Sequence, residues 1–207
     1  MKKIVFSNLP MTERFKLHYP VDGNKSIEYD GEVTFPVIAV LARTLAKGDD
    51  VKVVLLSKID ANGISANYAG LFQQELNEIN RKIGANIEYV TIPTPFVETR
   101  QVHEKLFCSM VDKLEDGAEI IGDITYGPKP LPIIMFSVMS FAEKFFHAEI
   151  KNIIYGKVEF VHGKSAPQNP MIFDLTPLYY LNSLTNTMEF SSSEDAVKAL
   201  KDIIDFR

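Results

Sequence analysis

The residues best suited to chemistry form one short segment, which begins at Asp123 and reads Asp-Ile-Thr-Tyr-Gly-Pro-Lys. Asp123 and Thr125 are two positions apart, so in an extended chain their side chains leave on the same face. Gly127 allows backbone N–H groups to approach a ligand, and Lys129 adds a positive charge just before a long apolar run. This combination could hold a phosphate. The alternative is that Asp123 caps a turn and that Gly127 with Pro128 simply ends a strand.

A second candidate segment follows the first predicted strand, where Ser7 and Asn8 precede Leu9 and Pro10. Ligands of open parallel α/β sheets bind beyond the carboxyl ends of the strands. The loops after the first and the fourth predicted strands are therefore the places where we expect a binding site.

The elements that must position these segments alternate between strand-like and helix-like runs, a pattern typical of α/β folds. We predict a Rossmann-like, mostly parallel six-stranded sheet with helices on both faces, as one domain over 1–184 and a C-terminal helix over 185–207 packed on that domain. The predicted strands are 3–7, 51–57, 87–92, 118–124, 150–160 and 171–175. The predicted helices are 32–47, 66–83, 97–114, 131–146 and a last one through 204, introduced by a capping box at Ser191 to Glu194.

Composition excludes several classes of protein. The 207 residues carry a net charge of −5, which argues against coating bulk DNA or RNA through counterion release. The single cysteine, Cys108, excludes a disulfide framework and lies on an apolar helical stripe, so we expect it to pack in the core. No apolar run is long enough to cross a membrane, and the N-terminus does not resemble a signal peptide. We expect a cytoplasmic protein.

The familiar cofactor and metal motifs do not occur. The first strand is not followed by G-x-G-x-x-G, and the tripeptide Gly163-Lys164-Ser165 lacks the upstream glycine of a P-loop because Val158 stands there. The 4 histidines are scattered along the chain. We therefore predict neither a cofactor nor a metal ion, and we expect the tripeptide to be a surface turn.

Three segments resemble the CARF domains, the CRISPR-associated Rossmann-fold sensors of cyclic oligoadenylates. Residues 121–132 match the family signature D-x-T-x-G-x-(R/K)-x-x-P, with lysine at the position that is often arginine. Residues 152–156 resemble the family strand that ends in Tyr-Gly, and 173–178 resemble its terminal D-L-T element. The order of these segments matches the family along most of the chain.

The resemblance implies a homodimer in which the two candidate loops of each copy meet and bind a symmetric ring of adenylates, with cyclic tetra-adenylate favoured. The ligand-binding residues would be Asn8, Leu9, Pro10, Asp123, Tyr126, Gly127 and Pro128. Tyr126 would stack on an adenine, although it could equally be a packed turn residue. The ribonuclease or DNA-binding module that usually accompanies the sensor has no counterpart in these residues.

A sensor domain without an effector could cleave the ring, relay its binding to a separate or truncated effector, or be part of a longer protein. We favour cleavage, in which the ribose 2′-hydroxyl attacks the adjoining phosphate without a metal ion. The catalytic residues would be Lys129, which stabilises the phosphate charge, with Ser7 and Thr125, which orient the phosphate. After ring cleavage and ring sensing, a small-molecule enzyme with a Rossmann-like sheet is the third possible function. Residues 11–30 could close as a lid over the ligand or form a plain surface loop.

Overall fold

The computed structural model describes residues 1–12, 14–59, 64–95 and 97–205. Its strands are β1 (Lys2–Asn8), β2 (Leu17–His18), β3 (Val21–Asp22), β4 (Glu32–Val33), β5 (Asp50–Lys58), β6 (Asn86–Thr94), β7 (Glu119–Asp123), β8 (Glu149–Glu159) and β9 (Gln168–Asp174). Its helices are α1 (Pro36–Thr44), α2 (Ile64–Ile83), α3 (Arg100–Val111), α4 (Leu131–Phe146), α5 (Thr176–Thr187) and α6 (Ser193–Asp205). One compact unit ends at Thr176 and a second begins at Pro177, so the predicted boundary at 184 falls inside α5.

The main sheet has 7 strands in the order β3-β9-β8-β7-β1-β5-β6. Neighbouring strands are parallel except for β8 and β9, which are antiparallel. This confirms the predicted α/β class and the mostly parallel sheet. The predicted count of six strands is wrong, because the two-residue β3 adds a seventh at the edge. A strand of two residues is too short to produce a hydrophobic period that sequence reading could detect.

The first helix begins later than its apolar stripe predicts. We expected a helix from residue 32, but Glu32–Val33 pairs with Leu17–His18 in a small antiparallel sheet, and α1 begins at Pro36. Phe35 is extended, with φ −113° and ψ 117°. Proline disfavours the helical conformation in the residue before it, so Pro36 can start the helix but cannot continue one.

The third helix begins at Arg100, where the side chain of Thr99 accepts a hydrogen bond from the Val102 amide. Leu106 and Met110, one helical turn apart, are its buried residues. Cys108 lies between them in sequence and therefore on the other side of the helix, where it is exposed. The prediction that this thiol packs in the core is wrong.

The fourth helix, α4, spans 131–146 as predicted. One side of it is buried, through Leu131, Met135, Val138, Met139 and Ala142. Other apolar side chains face outward, with Ile133 71% and Phe145 56% exposed. An exposed apolar side is unusual for a helix of a monomeric protein, and it begins directly after the candidate loop.

The second unit contains α6 and nearly all of α5. The Oγ of Ser192 accepts a hydrogen bond from the Asp195 amide at 3.1 Å, which caps the start of α6. The N-cap is therefore Ser192 and not Ser191 as predicted, and its hydroxyl also donates to the Asp195 carboxylate at 2.6 Å. Within the ranges described above, no helix combines the length and apolar character needed to cross a bilayer.

Candidate functional site

The carboxyl ends of β1 and β7 lie side by side and bring the two candidate segments together. Ser7 is the register partner of Asp123 across these parallel strands. Its Oγ donates a hydrogen bond to Oδ2 of Asp123 at 3.0 Å. Both side chains are completely buried. The Ser7 hydroxyl is therefore committed to a contact inside the protein.

Asp123 also organises the turn that follows β7. Its Oδ1 accepts a hydrogen bond from the backbone N–H of Thr125 at 2.8 Å. Burial raises the pKa of Asp123 to about 6, while hydrogen bonds from Thr125 and Ser7 act in the opposite direction. The loop is thus built around a carboxyl group that changes protonation near neutral pH.

Thr125 connects the loop to the neighbouring strand. Its Oγ1 accepts a hydrogen bond from the backbone N–H of Gly156 on β8 at 2.8 Å. A Cβ at position 156 would come within 2.7 Å of Cβ of Pro36 and within 3.2 Å of Oγ1 of Thr125. The Tyr-Gly element therefore needs glycine because the start of α1 and the candidate loop press on the same point of β8.

The D-L-T element repeats this device at the end of β9. The backbone N–H of Thr176 donates to Oδ1 of Asp174 at 3.0 Å, and Oγ1 of Thr176 accepts from the N–H of Ile153 at 2.9 Å. Both D-x-T segments thus use a threonine hydroxyl to hold β8. Two of the resembling segments therefore have the same structural role.

Gly127 lies directly over the side chain of Asn8. Its φ is +102°, a conformation that favours glycine, and a Cβ there would overlap Nδ2 of Asn8 and lie 2.8 Å from Cδ2 of Leu131. Asn8 is completely buried. Neither its Nδ2 nor its Oδ1 has a hydrogen-bond partner in the described part of the chain. A buried amide without partners is costly and requires an explanation.

The loop that covers this amide also carries a positive charge and a free donor. Lys129 is exposed, and neither it nor the backbone N–H of Gly127 has a partner in the ranges that the structure describes. The 16-residue α4 begins two residues later, after Pro130, with no side-chain cap. The N–H groups of Leu131, Ile133 and Ile134 are already bonded to the carbonyl oxygens of Pro128 and Pro130, so the features left for an anion are the helix dipole, Lys129 and the Gly127 N–H.

Tyr126 is partly buried and packs against the hydrophobic core. The guanidinium carbon of Arg14 lies 4.5 Å from the centre of its ring, and its hydroxyl lies 3.5 Å from the carbonyl oxygen of Thr34, at the long limit for a hydrogen bond. Burial raises the pKa of the Tyr126 hydroxyl above its ordinary value. One face of the ring is thus covered by Arg14, which lies in the 11–30 segment that the sequence predicts as either a lid or a surface loop.

Two predicted binding residues belong to the interior. Leu9 is completely buried in the hydrophobic core, and its N–H donates to the carbonyl oxygen of Leu56 at 3.0 Å. Pro10 is buried as well. The side chains of Leu9 and Pro10 are therefore unavailable to a ligand, because the chain stays beside β5 for one residue beyond β1.

Glu75 is a buried polar residue for which the sequence holds no signal, since it lies on α2, 41 positions from its partner. Its carboxylate accepts a hydrogen bond from the backbone N–H of Thr34 at 3.0 Å. Burial raises the pKa of Glu75, and the bond from Thr34 opposes this shift. A side-chain carboxylate thus already occupies the start of α1, where a dinucleotide-binding fold would hold phosphate.

A cavity of about 410 Å³ lies at the opposite edge of the sheet, at the amino ends of β1 and β5. Its lysines are neutralised, because Lys52 pairs with Glu115 and Lys3 pairs with Glu119 at 2.5 Å. We do not assign an anion site there. Among the described residues, no three His, Cys, Asp or Glu side chains are grouped so that they could hold a metal ion.

Comparison with known proteins finds a distant similarity. No family model matches the chain. Over 147 residues, 68% of this chain, the sequence is 24% identical to a CRISPR-associated protein of Methanocaldococcus jannaschii. The matched region is only 23% of the length of that relative. The chain is thus similar to one part of a much longer CRISPR-associated protein.

Proposed function

We propose that this chain has a role in type III CRISPR signalling, in which it binds a cyclic oligoadenylate, with cyclic tetra-adenylate favoured, at the interface of a homodimer. We further propose that it cleaves the ring without a metal ion. One observation carries the proposal: the buried, unpartnered amide of Asn8 lies beneath Gly127 at the start of α4. For a phosphate held by Gly127 and Lys129 to supply the acceptor that Nδ2 of Asn8 lacks, the loop must first move at Gly127, because Asn8 is completely buried beneath it.

The proposed fold is a CARF-like Rossmann domain with helices on both faces of the sheet. In support, Ile121 of β7 belongs to the hydrophobic core shared with α1 and α2. The next residue, Gly122, faces Met135 and Met139 of α4 instead, since a Cβ there would come within 3.0 Å of Sδ of Met135. Successive residues of a strand point to opposite faces.

The homodimer is supported by the outward apolar side of α4. Ile133 and Phe145 are both more than half exposed, and α4 starts where the candidate loop ends. Two copies related by a two-fold axis would cover this side and place both Lys129 side chains on one ligand. A symmetric ring fits such an arrangement, because each half of the ring meets the same residues.

In the proposed reaction, the ribose 2′-oxygen forms a bond to phosphorus while the bond to the 5′-oxygen breaks. The proton of the 2′-hydroxyl ends on the departing 5′-oxygen, and the products are a 2′,3′-cyclic phosphate and a 5′-hydroxyl. Lys129 stabilises the charge on the phosphate oxygens. We revise the roles of Ser7 and Thr125: because their hydroxyls bind Asp123 and Gly156, they position the loop rather than contact the phosphate.

The competing function is a sensor that binds the ring without cleaving it. The observation that favours it is the environment of Asp123, the carboxyl group nearest the loop. It is completely buried and bonded to Ser7 and Thr125, so it cannot take the proton of the 2′-hydroxyl directly. Cleavage would then depend on geometry and charge alone.

Incubation of the protein with cyclic tetra-adenylate or cyclic hexa-adenylate in the presence of EDTA tests both functions. Chromatography would show linear products that end in a cyclic phosphate if the chain is a ring nuclease. Lys129→Ala should lower the cleavage rate, whereas Lys47→Ala, which changes an exposed lysine after α1, should not. Tight binding without products supports the sensor, and binding of neither ring overturns the proposal.

A further inference from the structure

The hairpin between β8 and β9 has apolar side chains at its exposed tip. Phe160 is 67% exposed and Val161 is 47% exposed. A turn follows them, in which the N–H of Lys164 donates to the carbonyl oxygen of Val161 at 3.1 Å and Gly163 has a φ of +80°. Large apolar side chains at a solvated turn mark a surface that contacts something else.

Positive charge accompanies these apolar groups. Lys164 is exposed and has no acidic partner in the ranges described. The nearest acidic residue along the chain, Glu159, is already bound by Lys157 at 3.1 Å and by Asn169 at 2.7 Å. The tip therefore keeps the charge of Lys164 available to an anion.

A groove of about 300 Å³ lies between this tip and the segment that precedes β2. Its lining residues are Phe15, Phe160, Val161, His162, Lys164, Ser165, Ala166 and Pro167. A smaller cavity of about 30 Å³ shares Phe15, Phe160 and Pro167 with it, and reaches Thr125 and Tyr126. The groove thus borders a cavity that is lined by residues of the candidate loop.

We propose that this groove is a second subsite for an adenylate unit, with the base stacked on the ring of Phe160 and a phosphate against Nζ of Lys164. The proposal rests on the proposed function, since it extends the same ligand outward from the loop. An exposed ring beside a lysine is the combination that binds single-stranded nucleotides without reading their sequence. The Gly-Lys-Ser tripeptide then acts through the lysine side chain and not as a P-loop.

The test compares the affinity of variants for cyclic tetra-adenylate by isothermal titration calorimetry. Phe160→Ala should raise Kd about tenfold, and Lys164→Ala should raise it by a smaller factor. The matched controls are Phe190→Ala, an exposed phenylalanine of the second unit, and Lys47→Ala, which should leave Kd unchanged. If the wild type binds cyclic tetra-adenylate and Phe160→Ala binds it with the same Kd, the subsite is overturned and the proposed function is left intact.

A second measurement separates the two proposals if the wild type binds no ring. Adenosine 5′-monophosphate, titrated at millimolar concentration, should shift the backbone amide NMR signals of Phe160 and Lys164. The absence of shifts overturns the subsite. A third outcome is that the wild type, but not Phe160→Ala, binds anionic phospholipid vesicles while the nucleotide causes no NMR shifts. This result would assign the tip to a lipid surface and would also overturn the subsite.

Discussion

Nδ2 of Asn8 lies where the Cβ of any larger residue at position 127 would be placed, so only glycine fits above Asn8 at the centre of the candidate site. The contact joins the end of β1 to the loop after β7. It explains in one relationship why the loop requires glycine and why the amide beneath it is hidden from solvent.

Gly127→Ala should destabilise the protein by roughly 1–3 kcal/mol, because alanine is strained at positive φ and its Cβ would displace the Asn8 amide. Urea denaturation followed by circular dichroism measures the change. Gly70→Ala is the control, since position 70 lies in α2 with open space around it, and it should stabilise by roughly 0.5–1 kcal/mol. Equal stability of Gly127→Ala and the wild type would contradict the geometry.

Gly156→Ala should also destabilise, by about 1–3 kcal/mol, because its Cβ would press on the rigid ring of Pro36. Gly122→Ala offers a comparison, since there the nearest atoms belong to flexible methionine side chains that can rotate away. We expect the Gly156 variant to lose more stability in the same denaturation experiment. The reverse order would show that α1 can shift more easily than Met135 and Met139.

Thr125 and Thr176 hold different amides of β8, so their loss should be seen at different positions. Thr125→Val leaves the Gly156 N–H without its acceptor and should cost about 1–3 kcal/mol, with faster amide exchange at Gly156. Thr176→Val should do the same at Ile153. Hydrogen exchange by NMR separates the two. Serine at either position keeps the hydroxyl and is the control, and unchanged exchange at both amides would contradict the assignment.

The six longer strands of the main sheet were predictable from their apolar or alternating runs, and α4 from the helical period of Leu131 to Phe146, whereas the two-residue strands β2, β3 and β4 left no such pattern. The start of α1 was not predicted, since the apolar stripe continues through residues that Pro36 holds out of the helix. The contact of Ser7 with Asp123 depends on the register of β1 on β7, which no local pattern encodes. The burial of Asn8 depends on the neighbouring strand β5 and on Gly127 of the loop after β7, so only its place at the end of the first strand could be read in advance.

The raised pKa of Asp123 predicts that the folded protein loses stability as pH rises through the acidic range. A carboxyl group with a folded pKa of about 6 holds its proton more tightly in the folded state, so stability falls as pH rises from about 4 to about 6. Asp123→Asn removes this loss and should gain up to ~3 kcal/mol over the wild type between these limits. Denaturation at both pH values measures the difference, with Glu98→Gln as an exposed control. A difference independent of pH would contradict the shift.

Asn8 should show opposite effects on stability and on binding. Its amide is buried with no partner, so Asn8→Leu, similar in size and without polar atoms, should leave stability unchanged or raise it by about 1 kcal/mol. If the amide is kept for a ligand, the same variant should weaken binding of cyclic tetra-adenylate by about tenfold or more, because a bond to a charged phosphate contributes about 1.5–3 kcal/mol. Calorimetry and denaturation on one preparation measure both effects.

Leu56→Ala, which removes a buried apolar side chain from β5, is the converse control: it should cost roughly 2–5 kcal/mol of stability without removing a ligand contact. A stable Asn8→Leu protein that binds the ring as the wild type does would separate this amide from the ligand, and its burial would then have no functional reason.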